Sequence, residues 1–230
     1  MAKIKTGGLA GQISGSIGST TYSRNRYGAY IRNRSIPVKS FTLYAMAAKS
    51  RLTECSQAWG SLTAAQRLAW SNWAQANPVT DSLGEKQVLD GHAAYVQINT
   101  RMLVAALAKL TAPPLVAAPA PLSTLTATWD IGAGDYALTF ATTPLGASKS
   151  LWLTGCVVNN VSKVYVQNLL RFIACSAANL ATGYDAQSVT ETRLGALSVG
   201  QKVVYYASVF DRTTGLLSAP LRVEGTVVST

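Results

Sequence analysis

The sequence predicts an α+β, multi-domain chain: an extended basic N-terminal arm, a small three-helix module and a C-terminal all-β sandwich. Three observations carry this. The first acid is Glu54, and nine bases precede it. From Phe41 to Leu110 apolar residues recur at steps of three and four, the period of one helix face. Beyond a stretch holding four of the eight prolines, apolar runs are short and bounded by Gly, Asn, Asp or Pro, as strands are.

The arm, residues 1–40, is glycine-rich and then basic and aromatic. Gly7, Gly8, Gly11, Gly15 and Gly18 punctuate its first half, and its second half reads Tyr22-Ser-Arg-Asn-Arg-Tyr-Gly-Ala-Tyr30 and Ile31-Arg-Asn-Arg34. No helical period lasts here, and the pattern supports at most short extended pieces. So little apolar area cannot offset the entropy of ordering, so the arm is expected to order on a partner. The spacing Gly8–Gly11–Gly15–Gly18 lacks the Gly-Lys-Ser/Thr ending and preceding strand of a phosphate loop.

The helical module covers residues 41–110. Phe41, Tyr44, Ala48, Leu52, Cys55 and Trp59 form one stripe, which Gly60 ends. Thr63-Ala-Ala-Gln66 is a capping box. The helix it opens carries Ala69, Trp70 and Trp73 and stops at Asn77-Pro78. A third helix runs from about Asp90 with Tyr95, Ile98, Met102, Leu103, Ala106 and Leu110 on one face. Residues 111–121 are a stiff, extended linker that separates the modules and keeps them spaced. Residues 122–230 offer seven strand segments, Leu122–Trp129, Tyr136–Phe140, Ser150–Val158, Lys163–Phe172, Ser188–Leu194, Lys202–Phe210 and Leu221–Val228, the number an immunoglobulin-like sandwich uses.

The stretch Leu197-Ser-Val-Gly200-Gln-Lys-Val203-Val-Tyr205-Tyr-Ala207-Ser-Val209, followed by Asp211 to Gly215 and Ser218-Ala-Pro220, resembles the second half of fibronectin type III modules. Val203 stands where that family usually has a buried tyrosine, and Ala174–Tyr184 is longer than a standard connection. The resemblance implies a fold and no ligand. Residues 8 to about 100 are similar to poorly characterised proteins encoded near virion genes of tailed phages. The residues that carry this are Gly11-Gln-Ile-Ser-Gly-Ser-Ile-Gly18, Tyr22 to Gly28, Ile31 to Pro37, Trp59, Leu62-Thr-Ala-Ala-Gln-Arg67, Trp70, Gly91 and Tyr95. That resemblance implies a structural part of a phage particle, made in the host cytoplasm, and no reaction.

Little in the chain points to catalysis. His92 is the one histidine, so a metal centre or triad built on several histidines is excluded. The three cysteines, Cys55, Cys156 and Cys175, have no paired spacing and read as small buried apolar residues in a reducing cytoplasm. The close carboxylate pairs, Asp81 with Glu85 and Asp130 with Asp135, sit beside turn residues. No cofactor, metal or small-molecule substrate is expected, and no apolar stretch is long enough to span a membrane.

The net charge of +10 lies almost wholly ahead of Glu54 and mostly in the arm, because the 177 residues from Glu54 onward hold eleven bases against ten acids. The expected partner-binding residues are Tyr22, Arg24, Arg26, Tyr27, Tyr30, Arg32 and Arg34. Arginines interleaved with tyrosines clamp carboxylates on a protein surface. They equally pair phosphates and stack on bases. The neutral body favours protein partners, which the resemblance implies are capsid or connector subunits in a symmetric assembly; nucleic acid is the alternative.

Overall fold

The computed structural model describes residues 2–3, 13–35, 42–80, 85–132 and 136–229. Gly7, Gly8, Gly11, Phe41, Asp81 and Asp135, named above, lie outside the described residues. The chain divides into two compact units, Met1–Ala47 and Ala48–Thr230, and it is mixed α and β with antiparallel sheets.

In the first unit β1 (Ala2–Lys3), β2 (Gly15–Ile17), β3 (Thr20–Asn25) and β4 (Gly28–Asn33) form one antiparallel sheet in the order β1-β4-β3-β2. The short extended pieces that the sequence predicts are thus joined by tight turns. Gly18, at φ 57°, opens the first turn, and Arg26–Tyr27 make the second. There the Tyr27 N–H donates to Asn25 Oδ1 at 2.9 Å, and Gly28 leaves the turn at φ 113°, a conformation that favours glycine. An unpaired strap is therefore not the form of residues 15–33: their backbones largely satisfy one another.

The second unit holds the helical module and the sandwich. The helices are α1 (Leu43–Gly60), α2 (Ala64–Ala76) and α3 (Gly91–Val104), with the two-stranded ribbon β5 (Val79–Thr80) and β6 (Lys86–Gln87) between α2 and α3. The Thr63 capping box is present: Gln66 N–H donates to Thr63 Oγ1 at 3.3 Å, and Thr63 N–H to Gln66 Oε1 at 2.9 Å. The core is Leu62, Trp70, Ala74, Ala94, Tyr95 and Ile98, with Trp59 and Trp73 packed on it. Trp70 meets Tyr95 edge-on at 5.4 Å and donates from Nε1 to Thr111 O at 3.0 Å. The stripe on α1 is only partly used, because Cys55 is buried while Tyr44 and Leu52 are about half exposed.

The third helix is shorter than its periodicity predicts. It closes after Val104 with Leu107 N–H donating to Met102 O, Ala106 N–H donating to Leu103 O, and Ala106 at φ 54°. That is a Schellman end with alanine in the left-handed position. Leu110 then comes back beside α3, its N–H donating to Asn99 Oδ1 at 2.6 Å.

The sandwich packs β7 (Thr124–Ala127), β8 (Ala137–Ala141) and β11 (Tyr184–Asp185) against β9 (Lys149–Val158), β10 (Arg171–Cys175), β12 (Lys202–Asp211) and β13 (Leu221–Thr226). The orders are β11-β8-β7 and β10-β9-β12-β13. Alternate residues Leu151, Leu153, Val203, Tyr205, Ala207 and Val209 meet Leu138 and Phe140 in the core. The buried tyrosine absent at Val203 is supplied two residues on, on the same face, by Tyr205.

Two expected strands are corrected. Ser188–Leu194 is a helix, α4 (Gln187–Leu194): Asp185 Oδ1 accepts the Gln187 N–H at 2.8 Å, and Gly195 ends it at φ 93°. Of Lys163–Phe172, only Arg171 and Phe172 are strand, because side chains rather than a neighbouring strand take up the loop carbonyls. Residues 111–121 have no regular structure, yet they do not hold the modules apart. Leu216 of the β12–β13 connection packs on the helical core, and Gly215 sits so close to α3 that a Cβ there would be 2.7 Å from Ile98 Cγ2.

Candidate functional site

The seven residues predicted for partner binding all fall in the N-terminal sheet, and its register sorts them. Tyr22 pairs with Ile31 and Arg24 with Ala29, so Tyr22 and Arg24 share one face with Ile17, Ala29 and Ile31. Ser23 pairs with Tyr30 and Thr21 with Arg32, which puts Tyr30 and Arg32 on the opposite face with Ser16. Arg26 and Tyr27 form the turn, the guanidinium lying 5.9 Å from its neighbour's ring centroid. Arg34 follows β4, tied by its N–H to Ser19 O at 2.6 Å.

The structure therefore does not gather these residues into one patch. It gives two faces, each with one tyrosine and one arginine, and a cationic tip. All four arginines are exposed, Tyr27 is 45% exposed, and Tyr22 and Tyr30 are half-buried. No residue from 13 to 35 is buried. Sequence reasoning missed the neighbours Ile17, Thr21 and Ile31. The alternation of residues 20–25 and 28–33 about a turn ending in Gly28 is the signal that could have found them.

The other chemistry-bearing residues lie scattered through the second unit. His92 lies tilted against Trp59, ring centroids 5.5 Å apart, with Nε2 3.3 Å from Ser56 Oγ. Burial pushes the thiols of Cys55, Cys156 and Cys175 up from their ordinary value. Asp130 caps its own turn, accepting the Gly132 N–H at 2.9 Å. Among the described residues, no three His, Cys, Asp or Glu side chains gather to hold a metal, and no helix is long and apolar enough to cross a membrane. Trp129 lies in the core; Trp152 lies half-buried on the outer sheet face, 4.6 Å from Phe172.

No protein-family model matches this sequence, and no curated protein matches it. Among solved structures the chain is similar to an Fn3-like protein from Clostridium thermocellum, at 18% identity over 50% of this chain and 96% of that one, with a TM-score of 0.30. A likeness at that level says nothing about ligand or partner.

Proposed function

We propose that this chain is a non-enzymatic structural protein of a tailed-phage particle, a capsid decoration or cement protein. Its basic N-terminal sheet docks on acidic faces of capsid or connector subunits while the sandwich projects. The observation that carries the reading is the imbalance of the sheet: residues 13–35 hold four arginines, three tyrosines and no acid, and none of them is buried. A small sheet without a buried face contributes little stability of its own and gains most from a surface that covers it. Tyr22 and Tyr30 are then anchors for two opposed surfaces, and the arginines supply charge-assisted contacts to carboxylates. The resemblance of residues 8 to about 100 to phage proteins supplies the setting.

Quantitative mass spectrometry of purified particles, scaled to the major shell protein, tests this directly. Copy numbers near those of the shell protein are expected, a few copies reassign the chain to the connector or tail, and absence overturns the virion reading. Replacing Arg24, Arg26, Arg32 and Arg34 by Gln is expected to abolish incorporation with the sandwich still folded.

The acid-free sheet also favours a second reading, a nucleic-acid-binding accessory protein. Four phosphate contacts predict that log K for duplex DNA falls with log salt at a slope of roughly −3 to −4. A slope near zero in a titration against salt excludes that reading.

A further inference from the structure

We propose that the sandwich carries a second docking surface, in which the loop joining β9 to β10 holds Val164 and Tyr165 as a fixed apolar knob for a socket on an acidic protein partner. The loop, residues 159–170, is anchored from below. Val166 is 1% exposed, and with Leu169 and Leu170 it packs on Cys156, Val158, Val204 and Tyr206 of the outer sheet face. It is also clamped from two strands and tied at its own C-terminal end. Lys202 Nζ of β12 donates to Lys163 O at 3.4 Å, and Arg222 Nη2 of β13 donates to Val164 O at 3.3 Å. Arg171 Nη1 of β10 donates to Asn168 O at 3.3 Å and Leu170 O at 2.9 Å. At the entry, Ser162 N–H donates to Asn160 Oδ1, and Gln201 Nε2 donates to Asn159 Oδ1.

So firm a hold on the backbone stands against what the tip displays. Val164 is 70% exposed, Tyr165 67% and Val161 48%. Apolar side chains gain nothing from exposure, and ordering them in advance lowers the entropic cost of a later contact. Rigid tyrosines are typical interface anchors.

Charge selects the partner. Lys163, Arg171, Lys202 and Arg222 surround the knob's base, with Glu224 set between Lys202, at 3.1 Å, and Arg222. Burial raises the thiol of Cys156 beneath the loop, while nearby Arg222, Lys163, Arg171 and Lys202 pull it the other way. Three of these cations already donate to carbonyls, and two of them to Glu224 as well. What faces outward is therefore the charge of Lys163 and Arg171, with Arg222 partly exposed, beside apolar side chains rather than an open phosphate clamp. That combination fits an acidic protein surface with an apolar socket better than a nucleic acid.

The test uses the full chain with Arg24, Arg26, Arg32 and Arg34 replaced by Gln, so that the N-terminal sheet contributes no binding and the two readings fail separately. The probe is a random glutamate–tyrosine copolymer, compared with polyglutamate of equal length, duplex DNA and phosphatidylglycerol vesicles. The expected result is that the copolymer slows hydrogen exchange across residues 159–170 and binds roughly tenfold tighter than polyglutamate. Val164→Ser with Tyr165→Ser removes that preference at unchanged melting temperature. Equal binding of both polymers, or a preference that survives the double substitution, overturns the proposal. So does protection of the loop by DNA or by vesicles equal to that by the copolymer. Should the double variant fail to fold, Tyr165→Ser alone and the exchange footprint of the parent chain decide the matter.

Discussion

Tyr205 shows how one residue couples the sandwich core to pH. It is wholly buried, and its hydroxyl is 2.7 Å from Thr190 Oγ1 on α4. Burial holds the phenol up at about 12 against an ordinary value near 10, while the Thr190 hydrogen bond pulls weakly the other way. A group whose folded value is raised contributes stability below its unfolded value and loses it as pH climbs. Stability is therefore expected to fall from about pH 10 toward 12, by roughly 2–3 kcal/mol from this residue. Tyr136 and Tyr184 are pushed up by burial too and act in the same direction. Denaturant midpoints measured between pH 9 and 11.5 check this: Tyr205→Phe flattens the alkaline fall, at a cost of about 1 kcal/mol at neutral pH for the lost hydrogen bond. That a tyrosine belongs in this core was legible from the alternation of residues 203–209. Its partner was not, because Thr190 lies in a segment whose β-branched residues read as a strand.

At the scale of elements, the informative differences are at ends. The run Ala105-Ala-Leu-Ala108 carries no glycine to stop a helix, so periodicity carries α3 on to Leu110. The structure stops it with Ala106 at φ 54°, a conformation that costs a residue with a Cβ about 1 kcal/mol more than glycine. Ala106→Gly is accordingly expected to stabilise the chain by roughly 0.5–1 kcal/mol, read as a rise in melting temperature; a fall would mean that the Ala106 methyl makes contacts worth more than that strain. For α4 the sequence did hold the boundary signals, Asp185 and Gly195, but the residues between them favour strands locally. Burial of Thr190 and the Gln187–Glu191 hydrogen bond across one turn decide for helix. In residues 163–170 the local pattern fits a strand too, but Lys202 of β12 and Arg222 of β13 take the carbonyls of Lys163 and Val164, and no local rule foresees partners so distant in sequence.

For the whole molecule, the connection between β12 and β13 makes helical module and sandwich one unit. Gly215 at φ 70° lies against Ile98 and Met102, and Leu216 enters the helical core. Gly215→Ala adds both left-handed strain and a contact 2.7 Å from Ile98 Cγ2. It is expected to cost roughly 2–4 kcal/mol and to lower the unfolding of α3 and of the sandwich together. Hydrogen exchange followed separately in residues 91–104 and 202–211 checks this, since loss of protection in one module alone would mean that the two are not coupled. On the proposed function, the arginine variant is predicted to be folded and unattached.

The sequence by itself determined what is local or compositional. It placed nearly all the excess charge ahead of Glu54, the helix faces around Trp70 and Tyr95, the Thr63 cap, and the strands β7, β8, β9, β12 and β13. It also named the tyrosines and arginines of the N-terminal sheet. Only the tertiary structure decided that Tyr22 and Arg24 face away from Tyr30 and Arg32, that Ser188–Leu194 is helical, and that Lys202 and Arg222 hold the 159–170 loop. The reason is physical. Charge, capping and the two periodicities act between residues a few positions apart, whereas strand register and side-chain clamps join residues whose pairing is fixed only once the chain has closed on itself.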